Sequence, residues 1–373
     1  MSKRQIDRRE FVREGSALVA AAAAAGNVVG ADAAELDTKK IVNYNPKMRY
    51  RRLGKTKLMF SEVSLGGHWK NRGGGRYWGD LANDQVPDDV SKNRADVVSA
   101  CADCGINYLD ITTPAECCAY GVALKGRREK MYVGADDYRI CPRQGQNRNV
   151  EALTRSVEGC LKRLQTDYLD IWRPQMDTGG RNSDDDVKVV IETFEGLHKA
   201  GKVRHLGMSN HHRDWTKHVI EKFPEFEMFI FPCTAKTKEK DKPPMKDNVT
   251  GGGSEHSVFE AVRKHDVGLV TIKPFSGGSL FRSKVKFPVM GIGNKEENDM
   301  ARLVLQCILT NDAITAAIPG LTTVYEVENA ARASYERPLG MTPRQKEWIA
   351  RVVDEHWQQL PEEYQWLRDW EVV

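Results

Sequence analysis

The 373-residue chain has no apolar run near the ~20 residues that a permanent helical membrane span requires. It has no GxGxxG after its first strand-like segment, which removes the main support for a doubly wound dinucleotide fold. Neither sign of charge dominates. There are 56 Lys and Arg against 52 Asp and Glu, a formal charge of +4. Nothing in that balance points to a nucleic-acid surface, which needs basic residues clustered on one face. A single CxxC, Cys101 with Cys104, has no second CxxC at zinc-site spacing, so a zinc or iron–sulfur centre lacks a ligand set. Those two cysteines instead fit one face of a helix. The other six are Cys117, Cys118, Cys141, Cys160, Cys233 and Cys307. In an oxidising compartment a long-range pair among the eight is open, and the spacing does not choose it.

The N-terminus holds three features in order. Arg8 and Arg9 are followed by Phe11 and Val12, then by an alanine-rich apolar run from Ala17 to Ala25, then by the small-x-small pattern of Ala31 and Ala33. That order reads as a twin-arginine export signal over residues 1–34. An amphipathic helix that happens to contain two arginines would not need it. The reading predicts the twin-arginine export machinery as a partner, export in the folded state, a periplasmic or other extracytoplasmic location, and no stable membrane span.

From about residue 50, short β-type runs alternate with helical patterns. The expected strands are Glu62–Leu65, Ile106–Ile111, Met131–Ala135, Tyr168–Trp172, Val203–Met208, Glu227–Phe231, Gly268–Ile272 and Thr315–Ile318. Their length and apolar content suit parallel strands covered on both faces. Between them, Val150–Leu164 places apolar residues at helical spacing. Val187–Lys199, Ser257–Lys264 and Asp299–Leu309 do the same. Ser183 and Asp184 are expected caps. Eight strands alternating with helices predict a closed (β/α)8 TIM barrel of class α/β. Tyr50–Leu53 and Leu58–Val63, flanking Gly54-Lys55-Thr56, predict an N-terminal β-hairpin on the barrel floor. Residues 341–373, with Trp348, Trp357, Trp366 and Trp370, predict a C-terminal helical extension packed on the barrel. Two long loops, His68–Asp89 and Thr234–Ser254, come after strand ends and so belong on the face where barrels bind ligands.

Several phrases resemble the aldo/keto reductase family: YRRLGKTKLMFSEVSLGG, GINYLD, YLDI, GKVRHLGMSN, KPFSGGSL and IPG. They occur in order over residues 48–340. The resemblance implies a (β/α)8 barrel, NADP(H) bound across the strand ends, and hydride transfer to a small-molecule carbonyl. It also implies a tyrosine acid, a lysine that lowers its pKa, an aspartate and a histidine. A phenol needs such help, since its unassisted pKa is near ~10. The aspartate position falls on Asp110. The tyrosine position falls on Ala115, the lysine position on Asp136 and the histidine position on Gln175. No lysine lies between Met131 and Leu161, and no histidine between Trp69 and Leu197, so a shifted alignment restores neither. Two carboxylates, Asp110 and Asp136, then stand where the family has an ion pair, and burial of both predicts that one holds a proton or binds a cation.

The cofactor positions implied by the resemblance fall on Ser209 and Asn210 for the nicotinamide amide. Gly277 and Gly278 fall beside the pyrophosphate, with Arg282 and Lys284 close by. Gly320, Thr322 and Asn329 fall near the adenosine phosphate. Ile230 and Ile272 replace the family's glutamine and its stacking residue. Three readings are open. One is an oxidoreductase with a rearranged acid, for which Lys273, Tyr120 and Tyr138 are candidates. Another is a non-catalytic nucleotide- or ligand-binding barrel. The last is a metal-dependent enzyme drawing on Asp110, Asp136, Asp137, Cys117, His68, His211 and His212.

Overall fold

The computed structural model describes residues 37–69, 84–239, 257–283, 296–371 and 373. The expected export signal, the tip of the first long loop with Arg72–Trp78, most of the second long loop, and Lys284 lie outside the described residues. Contacts divide the chain into two units, Met1–Thr38 and Lys39–Val373. The second unit holds all the strands and the helices that cover them.

Eight parallel strands form one sheet: β3 (Leu65–Gly66), β4 (Tyr108–Ile111), β5 (Tyr132–Ala135), β6 (Leu169–Trp172), β7 (Val203–Ser209), β8 (Met228–Pro232), β9 (Gly268–Ile272) and β10 (Ala316–Ala317). Their spatial order is their chain order. The first and last meet through a parallel bridge from Val63 to Ala317. Ser64 N donates to Ala317 O at 3.0 Å and Ala317 N to Glu62 O at 2.9 Å. Those bonds close the (β/α)8 barrel that the alternating pattern predicts. Strand bounds differ from expectation by a few residues at the ends, where ladders fray.

Alternation along each strand sorts the side chains. On β4, Leu109 and Ile111 face the outer layer of helices, and Tyr108 packs inside with Phe60, Tyr132, Ile171, Met228, Ile230 and Val270. Gly134 on β5 leaves room for the Tyr108 ring, since any side chain there would collide with the phenol. The outer helices are α1 (Asp88–Cys104), α2 (Pro114–Ala123), α3 (Val150–Leu164), α4 (Asp184–Lys199), α5 (Arg213–Lys222), α6 (Val258–Lys264), α7 (Glu296–Ile308) and α8 (Val324–Glu336). Local chemistry sets their starts. Thr113 and Glu116 form a capping box on α2, Ser183 and Asp186 on α4, and Thr323 and Glu326 on α8. Ser183 is the cap of α4, and Asp184 lies in its first turn.

Strands β1 (Tyr50–Arg52) and β2 (Met59–Ser61) form the antiparallel hairpin on the floor. Leu53 and Phe60 from this hairpin seal the interior. Beside them Glu62, 1 % exposed, binds Arg51 at 2.8 Å, Arg337, and Arg49 at 3.7 Å. Burial alone would raise the Glu62 pKa, but those three guanidiniums outweigh it and hold the carboxyl below its usual range.

The C-terminal α9 (Pro343–Gln358) packs on the outer layer, as expected, but the chain beyond it does not stay outside. The 3-10 turn Glu362–Trp370 reaches the rim of the barrel mouth. Trp370 Nε1 donates to His211 O at 2.9 Å and its ring stacks on Phe231. Trp366 stacks on His211 at 4.5 Å, and Tyr364 abuts Gly277.

Candidate active site

At the carboxyl ends of the strands lies a cavity of about 510 Å³, within the size range of small-molecule sites. Its walls gather residues that the sequence places far apart. Asp110, Gln175, Ser209, Lys273, Gly277, Gly278, Gly320 and Thr322 all line it, as do Ile230 and Ile272. Of the expected site residues, Asp136, Asn210 and Asn329 do not. Asn210 sits behind the wall, with Nδ2 donating to Asp177 O at 2.7 Å and Oδ1 accepting from His212 N at 2.5 Å. Asn329 is buried in α8, where its Oδ1 accepts from Arg302.

Asp110 is not left beside a second acid. Arg173, one residue past β6 and 1 % exposed, clamps it with Nε at 2.6 Å and Nη2 at 2.8 Å. This bidentate geometry belongs to the charged forms of both groups. Burial pushes the Asp110 carboxyl up and Arg173 draws it back, while the guanidinium is held above its ordinary pKa by Asp110 against the pull of burial. The hydroxyl of Tyr108 donates to Asp110 Oδ1 at 3.0 Å from below. The cation beside Asp110 is therefore a protein side chain. Neither Tyr108 nor Arg173 stands out in the sequence as a site residue. The signal for Tyr108 is its place two residues before Asp110, hence on the same strand face.

Asp136 is buried behind Gln175. Its Oδ2 accepts from Gln175 N at 3.0 Å. Burial raises its pKa to about 6.

The tyrosines offered as substitute acids are elsewhere. Tyr120 is fully buried, donating to Gly66 O at 3.0 Å and accepting from Arg94, and burial drives its pKa far up. Tyr138 is exposed off the cavity. No tyrosine is among the described residues that line the cavity, and Tyr364 stands at its rim against Gly277. An imidazole does line it. His68 comes after β3 and lies in the wall, with 39 % of its side chain exposed. Its Nδ1 stands 2.6 Å from Glu116 Oε1. Glu116 is 2 % exposed and its Oε2 accepts from Thr112 N, Thr112 Oγ1 and Thr113 N. Burial alone would raise it, but His68 and those donors hold it below the usual carboxylate range. A carboxylate so fixed orients the ring.

Across the mouth, Lys273 adopts a left-handed backbone at φ 63°. Its pKa is lowered by burial and by Arg143. His211 is pushed down to about 3 by burial, then by Lys273 and Arg143. His212 caps α5 through Nδ1. Among the described residues no cluster of three or more His, Cys, Asp or Glu is arranged for a metal ion. The eight cysteines are all unpaired.

Comparison with known proteins agrees with this architecture. The family model described as "Aldo/keto reductase family" matches residues 74–340. L-galactose dehydrogenase of Arabidopsis thaliana is 24 % identical over 79 % of this chain and 91 % of its own length. The aldo-keto reductase YhdN of Bacillus subtilis is 28 % identical over 44 % of the chain and 47 % of its own. Among solved structures, an aldo/keto reductase from Klebsiella pneumoniae in complex with NADP and acetate superposes with a TM-score of 0.57 at 17 % identity, covering 82 % of this chain and 95 % of that one. The aldo-keto reductase AKR11C1 from Bacillus halodurans gives 0.55 at 20 %, covering 82 % and 96 %. A closed eight-stranded barrel, a mouth built at its strand ends, and a match over most of the chain place this protein in the aldo/keto reductase family of oxidoreductases.

Proposed function

We propose that the protein binds a nicotinamide dinucleotide, NADP(H) foremost, across the strand ends and interconverts a small carbonyl compound and its alcohol, using an imidazole where the family uses a phenol. One observation carries the reading: Ser209, Gly277, Gly278, Gly320 and Thr322 converge on the same cavity as Asp110 and Gln175. Gly277 and Gly278, at φ 64° and 89°, turn the backbone where a pyrophosphate would lie, in a conformation that side chains resist. A Cβ on Gly320 would stand 2.5 Å from His68 O. The Klebsiella relative supports the choice of NADP(H), since its structure holds NADP.

The bound dinucleotide would supply or accept the hydride. The chain's own residues manage the proton and the charge. His68, held through Nδ1 by Glu116, exchanges the proton at Nε2 with the substrate oxygen, and Glu116 fixes the ring's orientation, as a buried carboxylate does behind a catalytic histidine. Gln175, which lines the same cavity, would stand at the histidine position. The Asp110–Arg173 pair sets the field beneath.

Residues 1–34 support export by the twin-arginine machinery to the periplasm or a similar space, with the dinucleotide carried in bound. Arg8→Lys with Arg9→Lys is expected to leave the protein in the cytoplasm.

Titration of the purified protein with NADPH, followed by nucleotide fluorescence, tests the central reading. Saturable one-to-one binding is expected, and no saturable signal would reject it. His68→Gln is then expected to slow turnover by roughly 10²-fold or more with NADPH affinity kept. A second reading draws on the lack of a phenol among the described wall residues: a barrel that binds nucleotide without turnover. Tight NADPH binding that no carbonyl compound oxidises would favour it.

A further inference from the structure

The mouth carries more positive charge than its own acids answer. Asp110 is taken by Arg173, and Glu116 by His68 and the start of α2. Glu326 is taken by the backbone N–H groups of Thr322 and Thr323. Arg143 and Lys273 remain. Both line the cavity, and neither side chain pairs with a carboxylate among the described residues. Among the described residues the buried Nε of Arg143 has no hydrogen-bond partner, and neither has the Nε2 of Gln175, a residue only 9 % exposed. Three side chains whose donors lack acceptors among the described residues therefore line one cavity. Leaving such groups buried and unmatched is unfavourable unless a ligand completes them. Burial lowers the pKa values of Lys273 and His211, and the charge of Arg143 on both and of Lys273 on His211 adds to it.

Position separates Arg143 and Gln175 from the glycine groove. Arg143 N donates to Gln175 O at 3.2 Å, which fixes the two residues together beside the Asp110–Arg173 pair. The groove of Gly277, Gly278 and Gly320 belongs to the ends of β9 and β10. Lys273, just past β9, faces the cluster from the other side.

We infer that Arg143, Lys273 and the Gln175 amide form a clamp for a carboxylate on the substrate, so that the mouth selects a small oxo acid or hydroxy acid over an uncharged carbonyl compound. Arginine supplies a two-pronged donor matched to a carboxylate, and lysine a point charge opposite it. The clamp names the substrate class of the proposed oxidoreductase and rests on that reading only for which group reacts.

The test compares benzoate with benzamide, alike in shape and different in charge, titrated calorimetrically into the full chain with and without NADPH. Benzoate is expected to bind at least about tenfold more tightly, with the gap narrowing as salt rises. Arg143→Met and Lys273→Met should each weaken benzoate about tenfold or more, with folding checked by thermal melts, while Arg143→Met changes NADPH affinity less than about twofold. Benzamide binding as tightly as benzoate in the unaltered protein overturns the clamp whatever the variants do. So does a benzoate affinity that survives in Arg143→Met while NADPH affinity collapses, which would assign the cluster to the dinucleotide's own phosphates. A benzoate preference that persists in a protein unable to bind NADPH keeps the clamp and rejects the dinucleotide reading.

Discussion

The floor and the mouth of this barrel treat buried charge in opposite ways. At the floor, Glu62 is surrounded by Arg51, Arg337, Arg49 and the Ser334 hydroxyl, and its carboxylate is fully used. At the mouth, Arg143 and Lys273 share a cavity with no acid to match them among the described residues. A charge that serves folding is paired within the chain, because an unpaired buried charge is costly. A charge that serves a ligand has to wait for it. The Asp110–Arg173 pair belongs physically with the floor, although it lies in the mouth. The pair is complete without a ligand.

The comparison breaks first if the closed pairs turn out dispensable. Glu62→Gln and Arg173→Met should each cost about 3–5 kcal/mol in denaturant unfolding, because each strands buried partners. A loss under ~1 kcal/mol would show that these charges do not hold the fold. Asp136 sharpens the comparison through pH. Its folded pKa of about 6 lies above the unfolded carboxylate value. Its contribution to stability is therefore full below about pH 4 and is lost as pH rises through about 6. Asp136→Asn should accordingly be more stable than the parent by ~1–3 kcal/mol at pH 8 and nearly equal to it at pH 4. A pH-independent difference would contradict that. The smallest effect belongs to the open cluster. Arg143→Met should leave stability unchanged or raise it by up to ~1 kcal/mol, since it relieves repulsion and strands no partner. A loss as large as that of Arg173→Met would erase the distinction.

Much of this was legible in the sequence, for physical reasons. Parallel strands covered on both faces leave short apolar runs, and eight of them alternating with helices fix the barrel. Asp110, Gln175, Ser209, Gly277, Gly278, Gly320 and Thr322 reach the cavity because they lie at or just beyond strand ends, as their positions in the motifs implied. What stayed hidden depends on partners distant in sequence. Arg173 is one residue beyond a strand, and nothing local says that its side chain turns inward to Asp110. His68 and Glu116 are 48 residues apart, and Glu116 reads locally as a helix-capping residue, which it also is. Asn210 sits at the right place in its motif, but its amide is taken by Asp177 and His212. The tail gave its helical period but not its path, so its contacts with His211 and Gly277 emerge only in three dimensions.

The central claim, that the strand-end cavity is a nucleotide site, is tested most directly by hydrogen exchange on the full chain with and without NADPH. Slowed exchange is predicted at residues 207–212, 273–280 and 318–326, with the floor hairpin at 50–61 unchanged. Exchange that is the same in all three segments at saturating NADPH, or that slows only on the outer helices, would contradict it.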